Sequence, residues 1–336
     1  MNIKSIAKIS GVSVATVSRV LNNESGVSEK LRLRTLSAIE GRGYQPRESS
    51  TRRARIAMVV EPGTPTFDNF FAQIFTGISS YAFANNVETT LLYHAQGDVG
   101  ELDVVELLRK KRCNGVIFLS PLSRERAESL VEARIPAVVV ASRCEVPGVG
   151  FIDCDSRRSA YEQTEYLIRL GHRRIGFLCG SLDGIIDHQE RLDAYKQALA
   201  DSDIELELGW VIPHVPTDVT ERAGYDQANQ LLDCHSDVTA IFATNDAMAY
   251  GAISACVERG LRVPEDVSVI GHDDNPTSKY YNPSLTTTRQ PLRDMGTEAA
   301  QWVDLKLKGK LDTMPSKVIH GDLIVRRSCA PVKISS

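Results

Sequence analysis

The sequence ISGVSVATVSRVLNN, residues 9–23, decides the fold of the start of the chain. Gly11 separates two apolar-periodic segments, and Ser13 has the side chain of a helix N-cap. Val17 and Val20 give the second segment an inward stripe, so the pattern predicts a helix-turn-helix. Its outward face is small, polar and basic, which suits a helix that enters the major groove of DNA. A helical hairpin with an ordinary solvated face is the alternative.

The second helix of this motif carries the predicted contacts to DNA. In a helix-turn-helix, the first residues of the second helix meet base edges, and neighbouring polar side chains bind phosphates. The predicted base-reading residues are Val14, Ala15 and Arg19, and the predicted phosphate contacts are Ser13, Thr16 and Asn22. A third helix, capped by Ser28 and ended by Gly43, would complete a small core. The residues predicted to face that core are Ile3, Ile6, Ala7, Ile9, Val17, Val20, Leu21, Leu33, Leu36 and Ile39.

Positive charge is concentrated at the start of the chain. Residues 1–55 hold 3 Lys and 8 Arg against 4 Glu, a net charge of +7, whereas the rest of the chain carries −11. A basic segment joined to an acidic body is typical of a nucleic-acid-binding module fused to another domain. The linker after Pro46 is also basic, and Arg47, Arg52, Arg53 and Arg55 would lie along phosphates or enter a narrow minor groove. A solvated tether is the alternative for this segment.

From Ile56 onward, short apolar segments alternate with helical ones. This alternation predicts an α/β fold with parallel sheets that helices cover on both faces. The strands are too many for one small sheet, so we expect two sheets side by side. Two later strand-like pieces, at 286–290 and 319–326, would return the chain across their junction. Ligands in such folds bind at the carboxyl ends of the strands.

Polar side chains that follow these strands predict a site for a hydroxyl-rich ligand. A sugar needs carboxylates and amides around its ring, a guanidinium that makes two-pronged bonds, and an apolar wall. The side chains that could meet these needs are Asp273, Asn245, Arg191 and Gln290, with Phe67, Phe70, Phe71 or Leu292 for the wall. The alternative, given equal weight, is that Asp246 and Asp274 cap helices and that Arg191 pairs with a carboxylate.

Eight segments of the chain resemble the LacI/GalR family of bacterial transcription regulators, in that family's order. They are VSVATVSRVLNN from Val12, VSEKLR from Val27, RGYQP from Arg42, LGHRRIGFL from Leu170, ERLDAY from Glu190, ATNDAMAYGA from Ala243, VPEDVSVIGHDD from Val263 and LTTTRQPLRDMG from Leu285. The resemblance implies a DNA-binding transcription regulator, in most such cases a repressor, that binds a near-palindromic operator as a homodimer and responds to a small carbohydrate-like effector. A sugar-binding or chemosensory module without operator binding is the alternative.

The resemblance also implies domain bounds and site residues. We expect a helix-turn-helix domain at 1–46, a basic hinge at 47–55, and an effector-binding and dimerisation core at 56–328. The core would have two lobes like a periplasmic sugar-binding protein, one of 56–155 plus 291–315 and one of 156–290 plus 316–328. By motif position, the effector-contacting residues would be Arg191, Asn245, Asp273 and Gln290, with Phe70, Arg158 and Asp187 at positions that vary with the ligand.

The sequence departs from the family pattern at several points. The family hinge usually carries a Leu that wedges into the minor groove, and residues 47–55 contain none. His272 stands where the family tends to have an aromatic residue, either as a packing substitute or as a ligand-facing donor. An anionic sugar paired with Arg158 is one possible effector. Nothing after Arg327 resembles the leucine heptads of tetrameric members, so we expect a dimer.

Other classes of protein find little support in the sequence. It contains no GxSxG, P-loop or HExxH motif, and no histidine has metal-ligand spacing, so we expect neither an enzyme nor a metal or cofactor site. The 7 Cys include no CxxC pair, which favours reduced thiols over disulfides. No run of residues is apolar enough for a signal peptide or a membrane span, and a cytoplasmic protein is expected.

Overall fold

The computed structural model describes residues 3–21, 27–40, 54–60, 69–93, 103–180, 182, 186–212 and 219–333. The chain divides into two compact units, Met1–Arg53 and Ala54–Ser336, which we call the head and the core. No helix within these described ranges is long and apolar enough to cross a membrane.

Three short helices form the head: α1 (Ile3–Ser10), α2 (Val14–Leu21) and α3 (Glu29–Glu40). Ile6, Ala7, Val17 and Ile39 are buried together and form its hydrophobic centre. Gly11 has a φ of +61° at the turn between α1 and α2, a conformation that glycine adopts without steric cost. The sequence therefore identified the helices and most of the side chains that join them.

Three side chains predicted to face the centre of the head lie on its surface instead. The exposed fractions are 47% for Ile9, 60% for Leu33 and 36% for Leu36. Helix α3 turns a different stripe inward, because Thr35 and Ile39 are four residues apart and both are buried. The Thr35 hydroxyl donates to the Leu31 carbonyl at 2.7 Å, so its burial leaves no unpaired donor.

The first lobe of the core contains a six-stranded parallel sheet, in the order β11-β5-β4-β3-β1-β2. Its elements are β1 (Arg55–Val60), α4 (Asn69–Asn85), β2 (Glu88–Tyr93), α5 (Val104–Lys110), β3 (Gly115–Phe118), α6 (Arg124–Glu132), β4 (Ala137–Val140), β5 (Val149–Cys154), α11 (Leu292–Leu307) and β11 (Ser316–Ile319). Alternate residues of β1 point to opposite faces, as Ile56 and Met58 pack under α4 and α11 while Ala57 and Val59 pack under α5 and α6.

The second lobe contains a four-stranded parallel sheet, in the order β7-β6-β8-β9. Its elements are α7 (Ser156–Arg169), β6 (Ile175–Leu178), α8 (Ile186–Ala200), a 3₁₀ turn (Leu208–Trp210), β7 (Val211–Ile212), α9 (Glu221–Cys234), β8 (Ala240–Ala243), α10 (Asp246–Glu258) and β9 (Ser268–Ile270). Helices α9 and α10 cover one face of this sheet, and α7 and α8 cover the other. A separate antiparallel pair, β10 (Thr287–Arg289) with β12 (Asp322–Ile324), contacts α7.

The predicted boundary between the lobes near residue 316 is wrong by the length of one strand. Ser316–Ile319 pairs with β5 in the first lobe, and only Asp322–Ile324 belongs beside the second. The sequence suggested one long strand at 319–326, but the chain changes sheets at Gly321. A Cβ at Gly321 would lie 2.7 Å from Thr288 Cγ2 and 3.0 Å from the Arg289 carbonyl oxygen, so the passage requires glycine.

The chain passes between the lobes three times. It crosses after β5 into α7, again between β10 and α11, and finally between β11 and β12. The carboxyl ends of the parallel strands and the first turns of several helices adjoin these crossings, which is where an open α/β fold binds its ligands.

Candidate functional site

Helix α2 presents an exposed, weakly polar surface. Val14, Ala15 and Arg19 are all exposed, and Val14 keeps 41% of its surface accessible. The Ser13 hydroxyl caps the helix by accepting the Thr16 N–H at 3.0 Å. Ser13, Val14 and Ala15 are exposed, so the N-terminal end of α2 faces outward, where the partial positive charge of the helix end favours a phosphate. The predicted DNA contacts Asn22, Arg47, Arg52 and Arg53 lie outside the described residues. Arg55, also predicted to contact DNA, instead begins β1 and pairs with Glu88 of β2 at 2.6 Å.

In the core, Arg191 of α8 is a buried arginine that spans several elements. Only 5% of its surface is exposed. Its Nη1 donates to the Thr244 carbonyl oxygen at 2.7 Å, and its Nη2 donates to Ser156 Oγ at 3.4 Å. Its Nε makes no hydrogen bond to any residue that the structure describes. One donor of a rigid, charged group is therefore available at the carboxyl ends of the second-lobe strands.

Asp273 and Gln290 form the second part of the site. Gln290 Nε2 donates to Asp273 Oδ1 at 2.8 Å, and both residues are buried. Asp273 has a φ of +119°, which is rare for a residue with a side chain and concentrates at binding sites. The structure thus brings together two residues that lie 17 positions apart in the sequence.

Asn245, and not Asp246, has the helix-capping role that the alternative interpretation gave to Asp246. Asn245 is the cap of α10, since its Oδ1 accepts the Met248 N–H at 2.8 Å and its Nδ2 donates to the Val219 carbonyl at 2.9 Å. Asp246 is fully buried and caps nothing; it accepts hydrogen bonds from Thr287, Ser278 and the backbone of Asn275.

The remaining alternatives concern Asp274 and Arg191. Asp274 is likewise no helix cap, because its carboxylate pairs with Arg289 and Arg326. Arg191 lies close enough to Asp187 for its charge to act on that carboxylate.

Arg143 lies among several carboxylates. The sequence had not identified this arginine as part of the site. Arg143 Nε donates to Asp153 Oδ2 at 2.9 Å, and Nη1 and Nη2 donate to the two oxygens of Glu190 at 3.0 and 3.3 Å. Arg143 and Asp153 belong to the first lobe and Glu190 to the second, so one guanidinium ties the lobes together. The available signal was weak: a polar residue after β4 and another at the end of β5.

Burial disfavours the charged form of each carboxyl group around Arg143. Burial raises the pKa of Asp153 to about 7, and the negative charge of Asp187 adds to the rise. Burial also raises the pKa values of Asp187 and Glu190, although nearby arginines oppose it. Two guanidinium groups therefore do not fully compensate the negative charge that the fold buries here.

Three other predicted residues are not brought into this group. Arg158 pairs with Glu162 one turn further along α7 at 2.9 Å, and its side chain is 61% exposed. Phe70 is half-buried at the start of α4, edge-on to Phe71 with ring centroids 5.2 Å apart. His272 is fully buried, and its Nδ1–H donates to Gln163 Oε1 at 2.9 Å. Burial holds the pKa of His272 well below its usual value, so it packs as a neutral ring.

Sequence comparison assigns both parts of the chain. Residues 2–47 match the family model described as "Bacterial regulatory proteins, lacI family", and residues 164–329 match that of the periplasmic binding protein-like domain. Catabolite control protein A of Priestia megaterium is 31% identical over 304 residues, which cover 89% of this chain and 90% of that protein. The chain belongs to the LacI family.

Solved structures agree with this assignment of a LacI-family regulator. The complex of the transcriptional regulator CelR with cellobiose is 30% identical, with a TM-score of 0.73, and the match covers 98% of this chain and 99% of that one. The lac repressor dimer bound to operator and the anti-inducer ONPF is 26% identical, with a TM-score of 0.79 and the same coverage. The predicted fold, a helix-turn-helix head with a two-lobed α/β core, is confirmed.

Proposed function

We propose that this protein is a sequence-specific transcription regulator that binds a near-palindromic operator as a dimer and is controlled by a small polyhydroxylated effector. The observation that carries the proposal is the exposed face of α2 on a basic head, joined in one chain to a two-lobed core that buries an arginine and an Asp–Gln pair. The relatives are regulators rather than enzymes, and the protein would act as a repressor on DNA in the bacterial cytoplasm.

The head would read DNA through few side chains. Val14 and Ala15 are small and apolar, so they can favour thymine methyl groups and little else. Arg19 would be the main hydrogen-bonding reader of a base edge, since its side chain is exposed on the same helix. Ser13, Thr16 and Asn22 would bind phosphates. Arg47, Arg52 and Arg53 would contact the backbone or the minor groove without the usual leucine wedge.

The cleft of the core would hold the effector. Arg191 can donate its Nε–H, which has no partner among the described residues, and Asp273 and Gln290 offer an acceptor and an amide. These are the groups that a cluster of sugar hydroxyls requires. Asn245 would contribute less, because both ends of its amide already bond the protein. Closure around the effector would change how the lobes sit and thereby the spacing of the two heads; a coupling of about 1 to 3 kcal/mol would alter operator affinity roughly 5- to 150-fold.

A dimer is supported by large apolar side chains on the surface of the core. Phe83 near the end of α4 is 93% exposed, Tyr280 is 79% exposed and Val257 of α10 is 59% exposed. Aromatic side chains such as Phe83 and Tyr280 are enriched at protein–protein interfaces relative to the rest of a protein surface. We propose that a second copy of the chain covers them.

Operator selection tests the regulator function. The full chain should enrich near-palindromic duplexes from a random library at low salt. Arg19→Ala should relax base preference, whereas Arg53→Ala should weaken binding to all sequences alike and flatten its salt dependence. An absence of DNA binding at low salt, with sugar binding retained, would contradict the proposal and favour a plain binding module.

Titration with candidate sugars tests the cleft. Asp273→Ala should abolish the effector response of operator binding and leave operator affinity without effector unchanged. Asp226→Ala is the matched control, because Asp226 is an exposed aspartate of the same lobe that pairs with Arg222 on its own helix. A response retained in Asp273→Ala would refute the assigned role.

A further inference from the structure

The ion pairs of Arg143, which connect the two lobes, belong to a group of three carboxylates. Arg143 bonds Asp153 and Glu190, and the Asp187 carboxylate lies near enough for its charge to act on both. The side chain of Asp153 is only 3% exposed and that of Glu190 is 19% exposed. The three carboxylates therefore face two arginines, Arg143 and Arg191, in a place where water screens their charge poorly.

A second observation points to a ligand at the same place. Arg191 is only 5% exposed, and it lies one turn after Asp187 on α8. The positive charge of Arg191 opposes the rise that burial causes in the pKa of Asp187. Two nitrogens of Arg191 bond the protein, while its Nε has no partner among the described residues. An unpaired charged donor costs free energy unless a bound molecule supplies an acceptor. A molecule that fits must offer an oxygen to Arg191.

A cation from solution can take the place of the Arg143 guanidinium, whereas Arg191 is buried. The Arg143 side chain is 32% exposed, and it lies in the segment between β4 and β5 rather than on a helix. A cation from solution can therefore reach the position of the Arg143 guanidinium beside Glu190, whose side chain is 19% exposed. An anionic ligand would be repelled, because the three carboxylates outnumber the two arginines.

We propose that Asp153, Asp187 and Glu190 form a cation subsite in the cleft, that Arg143 fills it from within the chain, and that the effector is a polyol with an ammonium or guanidinium group which competes for it. This rests on the proposed effector function of the cleft. An amino sugar has the required chemistry, with hydroxyl oxygens for Arg191 and Asp273 and a cation for the carboxylates. Competition at Glu190 would also loosen the bond between the lobes, which links ligand charge to lobe arrangement.

Chemical rescue tests the subsite without knowledge of the effector. Arg143→Ala removes the internal cation, and methylguanidinium is a copy of the missing group. At about ten times its dissociation constant, methylguanidinium should raise the Tm of full-length Arg143→Ala by roughly 2 to 4 °C over sodium chloride of equal ionic strength. Wild type and Arg124→Ala should shift much less, since Arg124 is an exposed arginine that pairs with Glu128 on its own helix.

Further variants keep the result interpretable. Arg143→Gln replaces Arg143→Ala if the alanine variant does not fold. Adding Asp153→Asn and Glu190→Gln to either variant should remove the response to methylguanidinium. An equal Tm shift in the Arg143 and Arg124 variants, or a shift that survives the double change, would overturn the cation subsite.

Ligand charge gives an independent measurement on the wild-type protein. Glucosamine or galactosamine should bind at least about fivefold more tightly than the matching hexose, because a hydrogen bond to a charged group is about 1 kcal/mol stronger than a neutral one. The matching uronic acid should bind most weakly. Release of operator by a neutral or acidic sugar, with no rescue of Arg143→Ala, would leave the regulator function intact and refute the subsite alone.

Discussion

Replacing Asp246 with alanine should destabilise the core by about 3 to 6 kcal/mol. The fully buried Asp246 carboxylate accepts hydrogen bonds from Thr287 Oγ1 at 2.6 Å, Ser278 Oγ at 2.6 Å and the Asn275 N–H at 2.7 Å. Alanine leaves these three donors without a partner, at a cost of about 1 to 2 kcal/mol each. The carboxylate therefore fastens the loop after β9 and the strand β10 to the start of α10.

Asparagine at the same position should cost no more than about 1 to 2 kcal/mol. Its Oδ1 can accept from Asn275 and Ser278, and its Nδ2 can donate to the Thr287 hydroxyl, which rotates to suit. The comparison separates the loss of hydrogen bonds from the loss of charge, because both variants remove the carboxylate and only alanine removes the bonds.

The effect of pH on Asp246 has a definite sign. Burial raises its pKa to about 7, and the charge of Asp274 adds to the rise although three hydrogen bonds oppose it. The folded state then binds the proton more tightly than the unfolded chain, so this contribution to stability is complete below about pH 4 and is lost as pH rises through 7. The difference in stability between wild type and Asp246→Asn should therefore favour wild type more at pH 5 than at pH 8.

Urea denaturation of the full chain, followed by circular dichroism from pH 5 to 8, measures both effects. Asp226→Asn is the exposed control on the same lobe. If asparagine is as damaging as alanine, the three hydrogen bonds do not account for the loss of stability. If the difference between wild type and Asp246→Asn stays constant across this pH range, the pKa of Asp246 is not raised on folding.

Two substitutions test the packing of the two units. Ser13→Ala should lower the stability of the head by about 1 kcal/mol through loss of the cap on Thr16, and Ser13→Asn should restore it; equal thermal midpoints for all three proteins would contradict the cap. Gly224→Ala should lower the stability of the core by about 1 to 3 kcal/mol, because a Cβ there would lie 2.1 Å from the Met248 carbonyl oxygen of α10; a neutral effect in urea denaturation would show that α9 and α10 separate easily.

Local patterns in the sequence were sufficient to predict the fold class and most of the elements, although they merged β11 and β12 into one strand. Runs such as Ile56 to Val60 are apolar on both faces, which is the pattern of a buried parallel strand, and the structure contains a strand at Arg55–Val60. The same local patterns failed in α3, where two apolar stripes compete. The contacts with α1 and α2 decide which stripe turns inward. Thr35 and Ile39 are buried in the head, and Leu33 is exposed.

The site was harder to predict, because its contacts join distant parts of the chain. Arg143 and Glu190 are 47 positions apart and lie in different lobes, so no periodicity connects them. Arg158 was assigned to the pocket by motif position alone, and an exposed pairing with Glu162 was equally compatible with the sequence. Residue type indicated which chemistry was present in the core, whereas the pairing of those residues depended on the folded chain.

The placement of β11 has a consequence for how the protein is made. The first lobe starts with β1, yet its sheet needs the edge strand Ser316–Ile319 and its β1 face needs α11. Roughly 160 residues separate β5 from β11, which a bacterial ribosome adds in about 8 to 30 s at 5 to 20 residues per second. During that interval β5 presents unpaired backbone groups along one edge, a surface that invites aggregation. The lobe that is begun first therefore waits for almost the whole chain, so a chain released before residue 316 would hold the four strands of the second-lobe sheet beside an unfinished first lobe.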